Sequence, residues 1–380
     1  MVLCLLALLL AQDPAPLPAT PTKPTVEIGG RVMFDNAMVF GPGKEEVGDA
    51  LGEELMGGAE LRRARLDVRS QLTPELRGWL ALEFAGGSTR FREASLAWAA
   101  SKEEEWKIGY FKQPFFLDTY GSSNDFDFLE LPVGEEALAP GRQGGLSYSH
   151  WTDAASIGAS VYRKLPEKTG ISENEGFGAV TRAVWRPVFE PSRGHLLHLA
   201  ASVGWENPDD DVSFSTRPEQ HLLPVFLDTG PIAADSVLRY GVELAGTLGR
   251  WHGTAEWMGA GVEDSASDDP NLTGWNVSSG CFLTGESRPY DRKKGTWYRV
   301  VPERMFQAGQ WDEGGGAWEA VARISSLDMS EAGAGELEVQ SLGLNWYWTD
   351  HVRILLTFNR SLLDDFDAVY TAALRFGFDF

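Results

Sequence analysis

Apolar and polar residues alternate with a period of two from Val26 to the end of the chain. The alternation is clear in 26–34 and recurs in 59–71, 342–348 and 351–360. Successive side chains of a β-strand point to opposite faces, so this pattern predicts strands with one apolar and one polar face. Such strands fit either a half-solvated sheet or a barrel with a wet lumen.

The predicted strands number about sixteen and average about ten residues, which is typical of membrane β-barrels. We place them at 26–35, 58–71, 76–85, 90–99, 105–113, 143–150, 155–163, 176–187, 194–206, 236–247, 250–262, 273–285, 316–328, 337–348, 351–361 and 368–380. Beyond the N-terminal segment, no apolar run is long enough for a transmembrane helix. A membrane location would therefore require a closed antiparallel barrel, which gives every backbone group in lipid a hydrogen-bond partner.

The connections between the predicted strands alternate in length, as they do in bacterial barrels with short periplasmic turns and long outer loops. The short connections are 72–75, 100–104, 151–154, 187–193, 248–249 and 349–350. The long ones include 36–57, 114–142 and 207–235. One connection that should be a short turn, 286–315, is long, and we expect it to fold inward and narrow a pore.

The N-terminus has the features of an exported chain. Residues 1–11 are a short apolar run ending at Ala11, which predicts a signal peptide whose basic N-terminal part is missing from this sequence. Residues 12–25 are rich in Pro, Ala and Thr and predict a flexible tether, and 26–380 would form the barrel domain. Export and a barrel together imply the outer membrane of a Gram-negative-type bacterium.

The last predicted strand ends on aromatic residues. Phe376, Phe378 and Phe380 share one face with Leu374, while Arg375 lies on the other. A terminal aromatic residue on an alternating strand resembles the signal read by the barrel insertion machinery, so we predict an assembly signal here. The alternative is an ordinary core strand that stops at Phe.

Composition excludes several other functions. The net charge of −22 argues against nucleic-acid binding, which needs a positive surface. Only Cys281 follows the predicted leader, which holds Cys4, so no internal disulfide is expected. We find no phosphate-binding glycine loop, no dinucleotide turn and no metal-type His or Cys pair. We therefore predict no cofactor, no metal and no enzymatic activity.

Basic residues fall on the polar faces of several predicted strands. They are Arg31, Arg63, Arg65, Arg69, Lys107, Arg239, Arg323 and Arg353, and the segment 286–315 adds Arg288, Arg292, Lys293, Lys294, Arg299 and Arg304. Arginine and lysine rings in a pore select anions by attraction and by forked hydrogen bonds to oxyanions. The alternative is salt bridging across the lumen, with acids such as Glu60, Asp67, Glu83, Glu93, Glu243, Glu256 and Glu319.

Several segments occur in an order and at spacings that identify a family resemblance. They are 30–35, 61–68, 108–115, 122–126, 140–142, 282–291, 316–319 and 342–347. With these segments the chain resembles the phosphate-selective porin O and P family over nearly all of 26–380. The resemblance implies a homotrimer of sixteen-stranded porins in outer-membrane lipid. It also implies that the third loop, here 114–142, forms an eyelet, and that 286–315 folds inward.

The resemblance further implies a path for phosphate or other small anions. We expect it to be lined by Arg31, Arg63, Arg65, Arg69, Lys107, Arg142, Arg292, Lys293, Arg304, Arg323 and Arg353. The eyelet would hold Ser122, Ser123, Asn124, Asp125, Asp127 and Glu130. Family members often carry basic residues there, whereas 124–131 has acids and neither Lys nor Arg. We expect some of these acids to anchor the loop to wall arginines.

The function predicted from the sequence is a diffusion pore with a modest anion preference that passes phosphate or related oxyanions. One alternative is a non-selective or cation-preferring porin. Two alternatives from other classes are a non-conducting structural or adhesive barrel and a secreted soluble β-protein that binds glycans through its tryptophans.

Overall fold

In a computed structural model, described for residues 24–164, 176–208, 211–263, 269–307, 309 and 315–380, sixteen antiparallel strands close into one barrel. Each strand pairs with its neighbours in sequence order, and β1 pairs with β16. All sixteen predicted strands are therefore confirmed. The predicted signal peptide and the tether as far as Lys23 lie outside the described residues.

The strand bounds agree with the predicted ones to within a few residues. The strands are β1 Thr25–Phe40, β2 Gly58–Gln71, β3 Leu76–Glu83, β4 Arg90–Ala99, β5 Glu104–Lys112, β6 Arg142–Trp151, β7 Ala155–Arg163, β8 Phe177–Glu190, β9 His195–Asn207, β10 Ser236–Leu248, β11 Trp251–Glu263, β12 Asn271–Phe282, β13 Ala317–Asp328, β14 Glu336–Tyr347, β15 Val352–Leu363 and β16 Val369–Asp379. The largest difference is in β1, which we predicted to end at Asp35. It continues to Phe40 because 36–40 pair with β16, as in Phe40↔Tyr370.

Short elements occupy the connections. The helices are α1 Gly43–Leu51, α2 Leu117–Tyr120 and α3 Val133–Leu138, with single 3-10 turns at Pro191–Arg193 and Ser330–Ala332. Two-residue ladders pair Ser215–Thr216 with Leu227–Asp228 and Tyr290–Asp291 with Thr296–Trp297. Among the described residues, no helix is long and apolar enough to cross a bilayer.

The barrel closes at its last residue. Phe380 N–H donates to the carbonyl of Gly30 at 3.1 Å, and Gly30 N–H donates to the carbonyl of Phe380 at 3.0 Å. Gly30 has to be small because a Cβ there would lie 2.4 Å from the backbone carbonyl oxygen of Arg65 on β2, and 2.7 Å from the Phe380 ring. The rings of Phe376, Phe378 and Phe380 stay exposed on the outside, in keeping with the alternation of the sequence.

Apolar side chains lie on the outer face of the barrel and charged ones on the inner face, as the alternation in the sequence predicts. Large apolar side chains such as Ile28, Leu66, Leu96 and Leu356 are exposed on the outside, where lipid would cover them. The inner face carries buried charges, among them Arg375, which is fully buried. A lumen lined by charged groups and an outside lined by apolar groups is the arrangement of a transmembrane barrel.

Three connections fold into the lumen. We call 113–141 loop L3, 211–235 loop L5, and 283–307 the inward turn. L3 and the inward turn were predicted to fold inward, and L5 was not. Phe214, Leu223 and Phe226 of L5 pack with Phe116 and Val133 of L3 in one buried apolar cluster.

The barrel wall supplies the other half of this cluster. Near the loop ends of β10–β16 the inner face is apolar, at Val237, Ala260, Val262, Leu272, Leu327, Leu337, Val339, Leu363 and Val369. The inner face was expected to be polar throughout, but here it packs against the folded loops, which exclude water. The loops therefore fill the β10–β16 side of the lumen, and open space remains beside β1–β6.

Candidate pore and anion path

Two cavities follow the β1–β6 wall, one toward each end of the barrel. The outer cavity, on the side of the long loops, has a volume of about 450 Å³. The acids that line it are Glu93, Glu130, Glu135 and Glu136. Eleven basic side chains line it: Arg31, Arg62, Arg63, Arg65, Arg90, Arg92, Lys107, Lys112, Arg142, Arg217 and Lys294. The outer cavity is therefore strongly cationic.

The inner cavity, on the side of the short turns, has a volume of about 510 Å³. Its basic residues are Arg69, Arg77, Lys107, Lys112, Lys293 and Lys294, against the acids Glu27 and Glu105. Five residues line both cavities, so the cavities meet there: Trp79, Lys107, Lys112, Tyr120 and Lys294. We call these five residues the neck.

The arginines that line the outer cavity differ in whether a carboxylate neutralises their charge. Arg65 contacts Glu83 at 3.2 Å. Arg31 instead donates to the hydroxyls of Ser122 and Ser123, at 3.3 and 3.2 Å. Arg63 forms no ion pair with a described residue, and its buried Nε has no hydrogen-bond partner there. Guanidinium groups without a carboxylate partner keep donors free for a passing anion.

A β-bulge adds one arginine to this wall. The register of β1 and β2 shifts between Met33 and Phe34, which pair with Arg63 and Leu61, so Arg62 has no partner on β1. Strict alternation would place Arg62 beside lipid, but the bulge turns it inward, where it lines the outer cavity.

The three lysines of the neck have few anionic partners. Lys107 Nζ lies 3.5 Å from Glu93, and Lys112 Nζ donates to the Gly121 carbonyl at 2.5 Å. Lys294 forms no ion pair within the described part of the chain, and its Nζ lies 6.0 Å from the centre of the Tyr120 ring. Burial, with Lys107 nearby, lowers the pKa of Lys294 from its ordinary value.

The acids of the eyelet are held by wall cations. Glu130 contacts Arg62 and Arg375, both at 2.7 Å, and this pairing lowers its pKa despite burial. Asp127 contacts Arg288 of the inward turn at 2.7 Å. These contacts offset the acidic sequence of the eyelet, and of the two carboxylates only Glu130 lines the outer cavity.

The remaining eyelet residues are divided between the pore and the wall. Ser122 and Ser123 line the outer cavity, and Asn124 lines a smaller cavity beside β1 and β16. Asp125 lines none of these cavities, and its backbone carbonyl accepts a hydrogen bond from Arg288. Burial raises the pKa of the Asp125 carboxyl, which Arg353 and Arg288 partly counteract.

One cluster has the side chains of a metal site. Asp127, His252 and Glu319 each offer a ligand atom, and these atoms lie within 4.8 Å of one another. These ligand atoms instead have partners within the protein. His252 Nε2 lies 2.8 Å from Glu319, and Asp127 forms an ion pair with Arg288. Asn345 also donates to Glu319, at 2.9 Å. The cluster anchors L3 to the wall, and the sequence did not show it because its members are far apart in the chain.

Four residues of the predicted anion path lie away from the two cavities. Arg323 pairs with Glu219 of L5, and Arg292 pairs with Asp153 at the barrel rim. Arg353 donates to backbone carbonyls of L3, at 2.6 and 2.9 Å, and so holds the loop. Arg304 is exposed and lines neither cavity. In the first three cases another group of the protein already uses the charge or the donors.

Seven predicted path residues do line the cavities: Arg31, Arg63, Arg65, Arg69, Lys107, Arg142 and Lys293. Sequence reasoning missed others in the same walls: Arg62, Arg92, Lys112, Tyr120 and Trp79. Lys112 is the last residue of β5, where alternation gives no reliable face. Trp79 faces the lumen and donates from Nε1 to Asp67 at 3.1 Å.

Comparison with known proteins gives one family and several relatives. The family model described as Phosphate-selective porin O and P matches residues 48–365. An uncharacterized protein of Caulobacter vibrioides is 27% identical over 352 residues, covering 88% of this chain and 68% of that protein. Porin O of Pseudomonas aeruginosa is 24% identical over 319 residues, covering 72% of this chain and 68% of Porin O.

Solved structures share the fold at lower identity. The anion-selective porin from Comamonas acidovorans has a TM-score of 0.57 and 13% identity, covering 94% of this chain and 99% of that one. The trimer form of OmpT, an outer membrane protein of Vibrio cholerae, has a TM-score of 0.58 and 11% identity, covering 94% and 100%. At these identities the likeness establishes the fold alone.

Proposed function

The chain belongs to the phosphate-selective porin O and P family and is an outer-membrane porin of a Gram-negative bacterium, and from that premise we propose that it is an anion-preferring diffusion pore for phosphate and related small oxyanions. The observation that carries the proposal is the composition of the outer cavity. Eleven basic side chains face four acidic ones there, although the whole chain carries a net charge of −22.

The order of the charged groups along the path supports passage of anions. An anion entering from the outside meets guanidinium groups, among them Arg62, Arg63 and Arg142. It then reaches the ammonium groups of the neck, and beyond them Arg69 and Lys293 of the inner cavity. Closely spaced cationic sites let an ion contact the next group before it leaves the last, so binding does not become trapping.

The eyelet acids are the strongest argument for the opposite selectivity. Glu130 is the eyelet carboxylate that lines the outer cavity, and it is shared by Arg62 and Arg375. A carboxylate that faces two guanidinium groups contributes little net negative field to the path. Anion preference is therefore the selectivity that these contacts favour.

Family membership also supports a homotrimer, and one solved relative in fold, OmpT, is described in a trimer form. We further propose that the aromatic face ending at Phe380 is the signal recognised by the barrel insertion machinery. Cross-linking in mild detergent that yields only monomer would contradict the trimer.

The test of the proposed function is the reversal potential of single channels in a planar bilayer under a potassium chloride gradient. We expect the sign that corresponds to anion selectivity, and we expect Arg63→Gln to move the potential toward the cation side. Arg304→Gln is the matched control, because Arg304 is exposed and lines neither cavity. Cation selectivity of the wild-type pore, or absence of conductance, would refute the proposal.

A further inference from the structure

Two of the five residues of the neck are aromatic. Trp79 extends from β3, Tyr120 ends α2, and both line the outer and the inner cavity between the lysines. We propose that the neck prefers organic anions with a flat apolar group, of the aryl carboxylate class, over anions of equal charge that lack such a group. This inference rests on the proposed function, because it assumes that anions reach the neck.

Trp79 is held in one orientation. Its Nε1 donates to Asp67 at 3.1 Å, and the Arg69 guanidinium lies 4.8 Å from the centre of its ring. Lys107 Nζ lies 6.0 Å from the same ring centre. Cations therefore accompany the indole, and an anion drawn to them would arrive beside an aromatic surface.

Tyr120 gives the neck a second aromatic surface, from L3. Its ring is accompanied by the ammonium of Lys294, at 6.0 Å. The Tyr120 hydroxyl has no hydrogen-bond partner among the residues that the structure describes, so a bound solute can use it. An aryl carboxylate could place its carboxylate against Lys294 and its ring against the phenol.

The apolar surface continues below the neck. Phe111, Pro114 and Tyr298 line the inner cavity together with Trp79 and Tyr120. Lys107 Nζ lies 5.5 Å from the centre of the Phe111 ring, which repeats the pairing of an ammonium with an aromatic ring. The inner cavity therefore places aromatic rings beside cationic side chains, and an organic anion has both an apolar group and a charge to match them.

An inorganic oxyanion can bind the lysines of the neck but gains nothing from its aromatic rings. It needs donors on all sides to replace its hydration shell, and the ring faces of Trp79 and Tyr120 offer none. The benzene ring of an aryl carboxylate loses unfavourable contact with water at the same surface. The neck should therefore bind a solute that is both anionic and flat more tightly than one that is only anionic.

The lysines suit a site that has to release its solute. An ammonium is a hydrated point charge on a flexible stem, whereas a guanidinium grips a carboxylate with two parallel hydrogen bonds. The arginines line the cavities on either side, and the basic residues of the neck itself are all lysines. Aromatic contact then provides selectivity without a tight hold on the carboxylate.

The experiment measures block of the chloride current by benzoate, cyclohexanecarboxylate and acetate, three carboxylates of equal charge. For the wild-type pore we expect benzoate to block with a Kd lower than that of acetate by about two- to tenfold, the range of an aromatic contact. Cyclohexanecarboxylate should fall between the two, because it is apolar and not flat.

Three variants locate the preference. Tyr120→Leu should remove most of the difference between benzoate and acetate, whereas Tyr120→Phe should keep it, because the ring remains. Trp98→Leu is the matched control, since Trp98 is half exposed on the outer face of the barrel.

Equal block by benzoate and acetate in the wild-type pore would overturn the inference. So would an unchanged benzoate preference in Tyr120→Leu. A cation-selective wild-type pore would instead overturn the proposed function, so the two failures can be told apart.

Discussion

Removing the charge of Lys294 should weaken anion selectivity without altering the fold. The backbone around Lys294 is fixed independently of its side chain: its carbonyl accepts from Arg182 at 2.8 Å, and its N–H donates to Asp291 at 3.3 Å. The side chain itself has no ionic partner among the described residues, so Lys294→Gln leaves no carboxylate uncompensated. The substitution therefore tests the charge alone.

The size of the effect follows from Coulomb's law. A unit charge about 4 Å from an anion contributes about 1 kcal/mol in bulk water and about 4 kcal/mol at the effective dielectric constant of a protein surface. Lys107 and Lys112 remain in the neck, so we expect the lower limit, which is about a fivefold drop in the anion-to-cation permeability ratio.

The assay is the reversal potential in a tenfold potassium chloride gradient, where an ideally selective pore reaches about 59 mV. For a wild-type permeability ratio on the order of 20, a fivefold drop lowers the potential from about 49 to about 28 mV. Arg292→Gln is the control, because Arg292 lies on the same segment and pairs with Asp153 at the rim. An unchanged potential in Lys294→Gln, or an equal shift in Arg292→Gln, would refute the reasoning.

Three further predictions concern assembly, loop anchoring and pH. Phe380→Asp should lower the yield of heat-modifiable barrel in membranes, because it places a charge on the outer face; normal yield would contradict the assembly signal. Glu219→Ala should lower the free energy of unfolding by about 3–5 kcal/mol in urea titrations, because Arg323 stays buried and unpaired, and a Glu219→Met, Arg323→Met double variant should lose less. Burial, with Glu135 nearby, raises the pKa of Asp118 to about 8. Stability should therefore fall as pH rises from about 4 toward that value, and an equal slope in Asp118→Asn would contradict this assignment.

The barrel could be predicted from the sequence because its signal is repeated in every strand. A strand that is apolar on one side and polar on the other determines which face meets lipid and which meets the lumen, and consecutive antiparallel strands then pair in sequence order. The prediction was weakest where that period is interrupted. Arg62 faces the pore only because of the bulge beside Met33, and a bulge has no clear pattern of its own.

The filling of the lumen was harder to predict because it depends on contacts between distant segments. Arg323 and Arg63 both lie on the predicted polar faces of their strands, yet Glu219 of L5 pairs with Arg323 while Arg63 has no ion-pair partner among the described residues. Glu219 adopts a positive φ of 53°, a conformation that costs energy and that its hydrogen bonds to Arg323, Ser325 and Ser341 sustain. Nothing in the local sequence of L5 specifies that placement.

The pairing of β1 with β16 has a consequence for the time course of folding. Asp35 and Arg375 form a fully buried ion pair at 2.6 Å between residues 340 positions apart, and Arg375 also contacts Glu130 of L3 at 2.7 Å. Contacts so distant in sequence form slowly, because the loop they close costs entropy before any contact repays it. Until β16 arrives, β1 is an open edge that any other strand can join. We therefore expect a chain cut short before β16 to keep the edge of β1 exposed and to aggregate more readily than the full barrel.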